Sequence, residues 1–387
     1  MRDLEIRCST EIEFNHESFN PTALTLGDDG VISYNNGKVF QHTNEAQSEI
    51  IKLEPYFLKE SITNVKNEVC TGMVAISGGQ KVVLSFKSGL LISVEINLGF
   101  AEVVGNLAVG LEGAWKSPDD ELLVLGASDG LLILMTSGDF EPLLEFDPDE
   151  ATDAAFANVN VGWGAKETQF HGKAGKAARE IAPDASEIMV EGQDNCGVKV
   201  VWRDDGQFFA VSYISKLDQV RRIRIFNREG QLQSTSEPVS TLGKSLAWKP
   251  SGGALIASSM KLSNGIDVIG FYEKNGLRHG EFSLPFPADV HNLCWNSDAS
   301  ILAIHLTKKK SEEEILQLWT VSNYKWQLKK SEYFPKNFNF LWDPVSPMSL
   351  YVVSQNKAYA IELKFKIHRS LHRSKGISLF LQSSDRF

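Results

Sequence analysis

Residues Gly126-Ala127-Ser128-Asp129-Gly130 spell G-x-S-x-G, the pattern that presents a nucleophilic serine on a sharp strand-to-helix turn. That chemistry needs a helix after the second glycine, but LLILM follows, an apolar run of strand character. Asp129-Gly130 therefore reads as a hairpin turn, and Ser128 as a turn residue with no nucleophilic role. A second stretch, VGWGAKETQFHGKAGKA (161–177), gathers glycines, lysines, a glutamate and a histidine that could cradle phosphate or move protons. A phosphate-binding loop requires Gly, four residues, then Gly-Lys-Ser/Thr. Counting back from Gly172-Lys173 and Gly175-Lys176 gives Glu167 and Phe170, and alanine follows each pair, so the hydroxyl that would hold Mg²⁺ is missing. No G-x-G-x-x-G opens a βαβ unit here either.

Metal and disulfide chemistry find no pattern. The histidines (His16, His42, His171, His279, His291, His305, His368 and His372) form no HExxH or other close ligand spacing. The cysteines (Cys8, Cys70, Cys196 and Cys294) form no CxxC or CxxH, which predicts no zinc site and no disulfide framework and fits a reducing compartment. The acidic pairs Asp119-Asp120 and Asp204-Asp205 sit where turns are expected, and capping of backbone N–H groups accounts for them. The sequence thus predicts no catalytic residue, no metal and no cofactor.

Of 387 residues, 42% are hydrophobic and 23% charged, with a formal net charge of −10, so no overall field draws the chain to nucleic acid or anionic lipid. The N-terminus mixes charges into its first apolar residues, and no apolar run reaches the roughly 18 residues of a membrane span. These features predict a soluble intracellular protein without a membrane partner. The one basic cluster is KFKIHRSLHRSK, with Lys364, Lys366, Arg369, Arg373 and Lys375. Its composition fits a disordered terminus better than an RNA contact.

What must position these residues is a repeat. KVVWRDDGQFFAVS, SLAWKPSGGALIAS, NLCWNSDASILAIH and NFLWDPVSPMSLYVVS share one pattern, with Trp202, Trp248, Trp295 and Trp342 spaced 46 or 47 residues apart. GAWKSPDDELLVLGA repeats it at Trp115, and MVAISGGQKVVLSF repeats it with Ile76 in the tryptophan place. Each unit is an apolar strand, a turn of Pro, Asp, Ser or Gly, and a second apolar strand. Further strands follow. RRIRIFNREG alternates as a half-buried strand does, and GIDVIGFYEKNGLRHGEF is a hairpin whose Asn275-Gly276 suits a type I′ turn. Antiparallel units of three or four strands at about 45-residue spacing are the blades of a β-propeller. The tryptophans, at one fixed place per repeat, are core packing rather than a stacking platform for bases.

The interval from Trp115 to Trp202 is nearly two periods long but holds only one further strand pattern, NVNVGW, so it reads as one blade plus a long insertion. ALTLGDDGVISYNNGKVF supplies another blade before Met73. The chain is therefore expected to be all-β: a seven-bladed, WD40-like propeller over residues 1–365, with a loop insertion at about 164–197 and a basic, disordered tail over 366–387. Ring closure is expected to pair LEIRC with KAYAIELKF.

GWGAKETQFHG (162–172), WRDDGQFFAVS (202–212), REGQLQSTSEPV (228–239), LAWKPSGGALIAS (246–258), EKNGLRHGEF (273–282), LQLWTVSNYKW (316–326) and LWDP (341–344) occur in that order along the chain. In these phrases the sequence resembles the N-terminal propeller of the largest subunits of Elongator complexes. The resemblance implies a non-catalytic scaffold. In that family the modification of tRNA wobble uridines is carried out by another subunit with an iron–sulfur cluster, S-adenosylmethionine and acetyl-CoA. The implied partners are that radical-SAM/acetyltransferase subunit and a second propeller subunit, with tRNA met only indirectly. The implied location is the cytoplasm, with the nucleus as a further compartment. The family's second propeller, helical repeats and basic C-terminal segment find no counterpart, so a fragment or incomplete product is expected. The alternative class is a propeller-based hydrolase or nucleic-acid-binding module acting alone.

The insertion carries the candidate binding residues. Lys166, Lys173, Lys176 and Arg179 are too many and too close to be buried, which places the segment on the surface, with KAGKAARE as a short helical piece. So long an elaboration of one blade favours a binding role over a mere connection. Lys166, Gln169, Phe170, His171 and Lys173 are the expected partner contacts, with Phe170 as the apolar anchor.

Overall fold

In each blade the burial of the strands records their place in the ring. The computed structural model describes residues 2–13, 23–27, 30–43, 47–62, 68–150, 197–237, 239–250, 255–354 and 357–367. Strand β1 is Arg2–Glu13. The first blade is β2 (Ala23–Gly27), β3 (Gly30–Asn35), β4 (Lys38–His42) and β5 (Gln47–Lys52), followed by helix α1 (Glu54–Lys59). The second is β6 (Cys70–Ile76), β7 (Lys81–Phe86), β8 (Leu90–Glu95) and β9 (Phe100–Asn106), and the third is β10 (Leu111–Lys116), β11 (Leu122–Ala127), β12 (Leu132–Thr136) and β13 (Pro142–Phe146). The fourth is β14 (Lys199–Trp202), β15 (Phe208–Ile214), β16 (Arg221–Asn227) and β17 (Leu232–Thr235). The fifth is β18 (Leu242–Trp248), β19 (Leu255–Lys261), β20 (Asp267–Glu273) and β21 (Arg278–Ser283). The sixth is β22 (Ala288–Trp295), β23 (Leu302–Lys308), β24 (Glu314–Ser322) and β25 (Lys325–Phe334). The seventh combines β26 (Asn339–Trp342), β27 (Ser349–Ser354) and β28 (Lys357–Ile367) with β1 from the other end of the chain.

Seven four-stranded antiparallel sheets result, each in simple up-and-down order apart from the seventh, where β1 is the outermost strand. The first strands of successive blades touch one another all the way round, from β2 to β6 and on through β26 back to β2, so the ring is closed. Closure is the expected one: Leu4 pairs with Phe365 and Ile6 with Leu363, which covers the free edge of β28.

A second strand is sandwiched by neighbouring blades on both faces, so it reads as a nearly unbroken apolar run. All six residues of β11, LLVLGA, are buried, while the outermost β13 of the same blade is exposed over its first four residues. The buried residues fall into seven apolar clusters, one at each blade junction. Two of the repeat tryptophans bond from one blade to the one before it. Trp202 Nε1 donates to the Trp115 carbonyl at 3.3 Å, and Trp342 Nε1 to the Cys294 carbonyl at 3.2 Å.

Two local expectations are corrected. At the β20–β21 turn Gly276 has φ 84° but Asn275 is not among the positive-φ residues, so the turn is not type I′, which needs both. The Gly276 N–H bonds back to the Glu273 carbonyl at 2.9 Å and Asn275 Oδ1 accepts the Leu277 N–H at 3.0 Å, the geometry of a type I turn closed by a glycine bulge. Strand β16 is not half-buried either: Arg221 and Arg224 are buried along with Ile223 and Ile225, because both of its faces meet neighbouring blades.

Candidate protein-interaction surface

Lys166, Gln169, Phe170, His171 and Lys173 lie outside the described residues, as do NVNVGW, KAGKAARE and the chain beyond Ile367. The two ends of the connection that carries the first five are described, and the fourth blade holds both. After β13 the chain turns through Asp147-Pro148-Asp149. Lys216 Nζ donates to Asp147 Oδ2 at 2.6 Å, the Lys216 backbone N–H donates to Asp149 Oδ2 at 2.7 Å, and Tyr213 Oη donates to Asp149 Oδ1 at 2.8 Å. The buried Arg224 donates to the Pro148 carbonyl. Partial burial works against ionisation of Asp147, but the bonds from Lys216 and the Asp149 N–H hold its carboxyl below the usual carboxylate range. The same pairing raises the Lys216 ammonium above its ordinary value. Burial, and then the bond to Asp149, push the Tyr213 hydroxyl well up.

At the far end, buried Gly197 places its carbonyl 3.2 Å from Arg221 Nη1. Arg221 and Arg224 stand three residues apart on β16 and so point to its opposite faces, and one strand pins both roots of the segment. Pattern reading set Arg222 and Arg224 on the open side of a half-buried strand; Arg222 is half-buried and Arg224 buried. The signal that could have found them is Asp147-Pro148-Asp149 itself, two acids flanking a proline directly after an apolar strand.

Beside Gly197, charged groups from three inner strands meet. Lys244 Nζ and Glu112 Oε2 reach into the space a side chain at position 197 would take. Glu112 Oε1 accepts from Ser128 Oγ at 3.2 Å and lies 3.9 Å from Lys87 Nζ. Burial lowers the Lys199 ammonium and raises the Cys294 thiol to about 11. The inner wall is therefore mixed in sign. Among the described residues no three His, Cys, Asp or Glu side chains are arranged to hold a metal ion, and no helix is long and apolar enough to cross a membrane.

Ser128 occupies a hairpin turn between β11 and β12. The Gly130 N–H donates to the Ala127 carbonyl at 3.0 Å, Gly130 has φ 92°, and the Leu131 N–H is capped by Asp129 at 3.1 Å. A strand, not a helix, follows the motif. The turn acids act as caps and ion-pair partners: Asp119 accepts the Glu121 N–H at 3.2 Å and pairs with Arg228 at 2.6 Å, and Asp205 accepts the Gln207 N–H at 3.0 Å.

A family model described as the ELP1 first N-terminal beta-propeller matches residues 8–345. Elongator complex protein 1 of Oryctolagus cuniculus is 41% identical over 333 residues, covering 82% of this chain and 24% of its own length. The protein of the same name from Rattus norvegicus is 37% identical over 98% of this chain and 29% of its own, and that from Saccharomyces cerevisiae is 30% identical over 88% and 29%. The chain thus spans about a quarter of the length of these relatives. Among solved structures, a chain from the "Crystal Structure of Mitotic Checkpoint Complex" superposes with a TM-score of 0.57 over 92% of this chain and 91% of its own, at 12% identity, a likeness of fold alone. By the extent of these matches, the chain belongs to the family of Elongator complex protein 1 first N-terminal β-propellers.

Proposed function

We propose that this chain is a non-catalytic scaffold propeller of an Elongator complex, binding other subunits so that a catalytic partner can modify wobble uridines of tRNA. The observation that carries the reading is the family match running almost the whole length of the ring. The pinned roots of the 147–198 connection support it: two buried arginines and an aspartate network are a large investment in fixing where one loop leaves the ring. In this reading the partners are the radical-SAM/acetyltransferase subunit and a second propeller protein, tRNA is reached only through them, and the protein works in the cytoplasm with a nuclear pool. The competing reading, a hydrolase or nucleic-acid-binding module acting alone, draws no support from Ser128, whose hydroxyl is spent on Glu112 in a hairpin turn.

Within the connection, Lys166, Gln169, Phe170, His171 and Lys173 are the proposed contacts, with Phe170 anchoring. The test replaces Phe170 by Ala and Lys166 and Lys173 by Glu in the longer protein. Retained melting temperature with reduced co-purification of the other Elongator subunits is the expected result. Undiminished co-purification would reduce the segment to a connection.

A further inference from the structure

Between the outer strands of the second and third blades runs a cleft that the loop connection does not explain. Its wider part, about 590 Å³, is apolar and is lined by Val104, Leu107, Val109, Ile133 and Leu143 among others. Val109 and Leu143 are 51% and 53% exposed and both line it, so it offers solvent an apolar patch rather than scattered single residues. Its narrower part, about 310 Å³, is polar and holds Glu95, Glu102 and Asp139, with Lys81 the one cation, itself 3.7 Å from Glu95. Asp129 and Glu145 stand at the apolar end. Glu102 and Glu145 have no cationic partner among the described residues.

Val104 and Phe140 belong to both parts, so the two are continuous. Phe140 is held at φ 60°, a conformation a bulky side chain rarely adopts. The tight turn that imposes it is closed by the Thr136 N–H on the Glu141 carbonyl at 2.9 Å and by the Glu141 N–H on Thr136 Oγ1 at 2.9 Å. Phe140 thereby lines both the apolar and the acidic half. Strands β9 and β13, which both line the cleft, are the outermost strands of their sheets, so their outer edges have no further strand paired to them among the described residues.

We infer that this cleft docks an extended segment of a partner protein that carries apolar residues at one end and lysine or arginine at the other. The apolar half would take the anchor side chains, the acidic half would receive the cations, and the strand edges would offer main-chain hydrogen bonds. An RNA strand does not fit, since its phosphates would face Glu95, Glu102 and Asp139. The inference deepens the scaffold reading and rests on it. Its test uses synthetic peptides rather than Elongator subunits, so a failed cleft and a failed scaffold role give different results.

The probes are fluorescein-labelled peptides with three leucines at one end and three lysines at the other, in both orders, matched by versions with glutamate in place of lysine. Binding to the 387-residue chain is followed by anisotropy at physiological salt. A lysine peptide in one order is expected to bind at least about tenfold tighter than its glutamate counterpart, with Val109→Asp plus Leu143→Asp weakening it by about tenfold. Glu102→Lys plus Glu145→Lys should abolish or reverse the preference. All four side chains are exposed, so melting temperature should be kept, and it is measured as the check on folding. No binding in either order, equal binding of lysine and glutamate peptides, indifference to the paired substitutions, or tighter binding of a single-stranded RNA oligonucleotide would each overturn the inference.

Discussion

Two junctions of the ring are made from the same strand pattern and packed in opposite ways. Between the first and second blades, sixteen buried apolar residues form one cluster among the described residues. Helix α1 drops Phe57 into it, edge-on to Phe86 at 4.9 Å, and Tyr34 meets Phe86 edge-on at 5.3 Å. Where the seventh blade meets the first, the buried cluster among the described residues is Val31, Phe40, Val353 and Ala358, with Leu24, Leu26, Leu341 and Tyr351 packed against it. On that face of the first blade, in register with Val31 and Phe40, lie His42 and Ser33, buried and hydrogen-bonded to each other at 2.6 Å. The closing junction thus sets a buried polar pair beside its apolar residues, and the long β1–β28 ladder completes its sheet.

The largest expected effect tests the difference in packing. Phe86→Ala should cost about 3–5 kcal/mol, because Phe86 is fully buried among aromatic neighbours that cannot collapse into the gap. Val31→Ala in the closing cluster should cost at least about 1 kcal/mol less, since it removes far fewer buried carbon atoms. Equal losses in denaturant titrations would dissolve the contrast.

The next test concerns acid. Burial lowers His42 to about 4. An unfolded chain binds a proton at this histidine once pH falls below its ordinary value of about 6.5, while the folded ring does not until about pH 4. The stability is fully present above that ordinary value and is lost as pH falls toward 4. His305, lowered to about 4 by burial and then by His291 against the opposing pull of Glu314, contributes in the same direction from the junction of the sixth and seventh blades. His42→Gln keeps a partner for Ser33 and should reduce proton uptake on unfolding by about one between pH 6 and 4.5, measured as the slope of stability against pH. An unchanged slope would show that the closing junction is not acid-sensitive through His42.

A third, smaller effect lies at the root of the 147–198 connection. Asp149→Ala removes acceptors from Tyr213 Oη and the Lys216 N–H and should cost about 1–2 kcal/mol in thermal unfolding. The smallest is Ser128→Ala, whose exposed turn hydroxyl donates to Glu112. It should change stability by less than about 0.5 kcal/mol and leave Ser128 without a phenotype. Labelling of Ser128 by a fluorophosphonate probe in folded protein would reopen the hydrolase reading.

Much of the architecture is written in local sequence. The spacing of Trp202, Trp248, Trp295 and Trp342, the turn residues after each, and the alternation of LEIRC against KAYAIELKF fix seven blades and their closure, because period and turn chemistry act over a few residues. Three-dimensional assembly decided what depends on residues far apart in the chain. It buried Arg224, whose alternation with isoleucines looked like a solvent face, because the chain leaving the third blade brought the Pro148 carbonyl to meet it. It also placed Glu102 of one blade along the same cleft as Leu143 of the next, a juxtaposition no repeat period encodes. Strand pattern is a property of each blade; grooves and pinned loops are properties of pairs of blades, and only packing determines which side chains those pairs share.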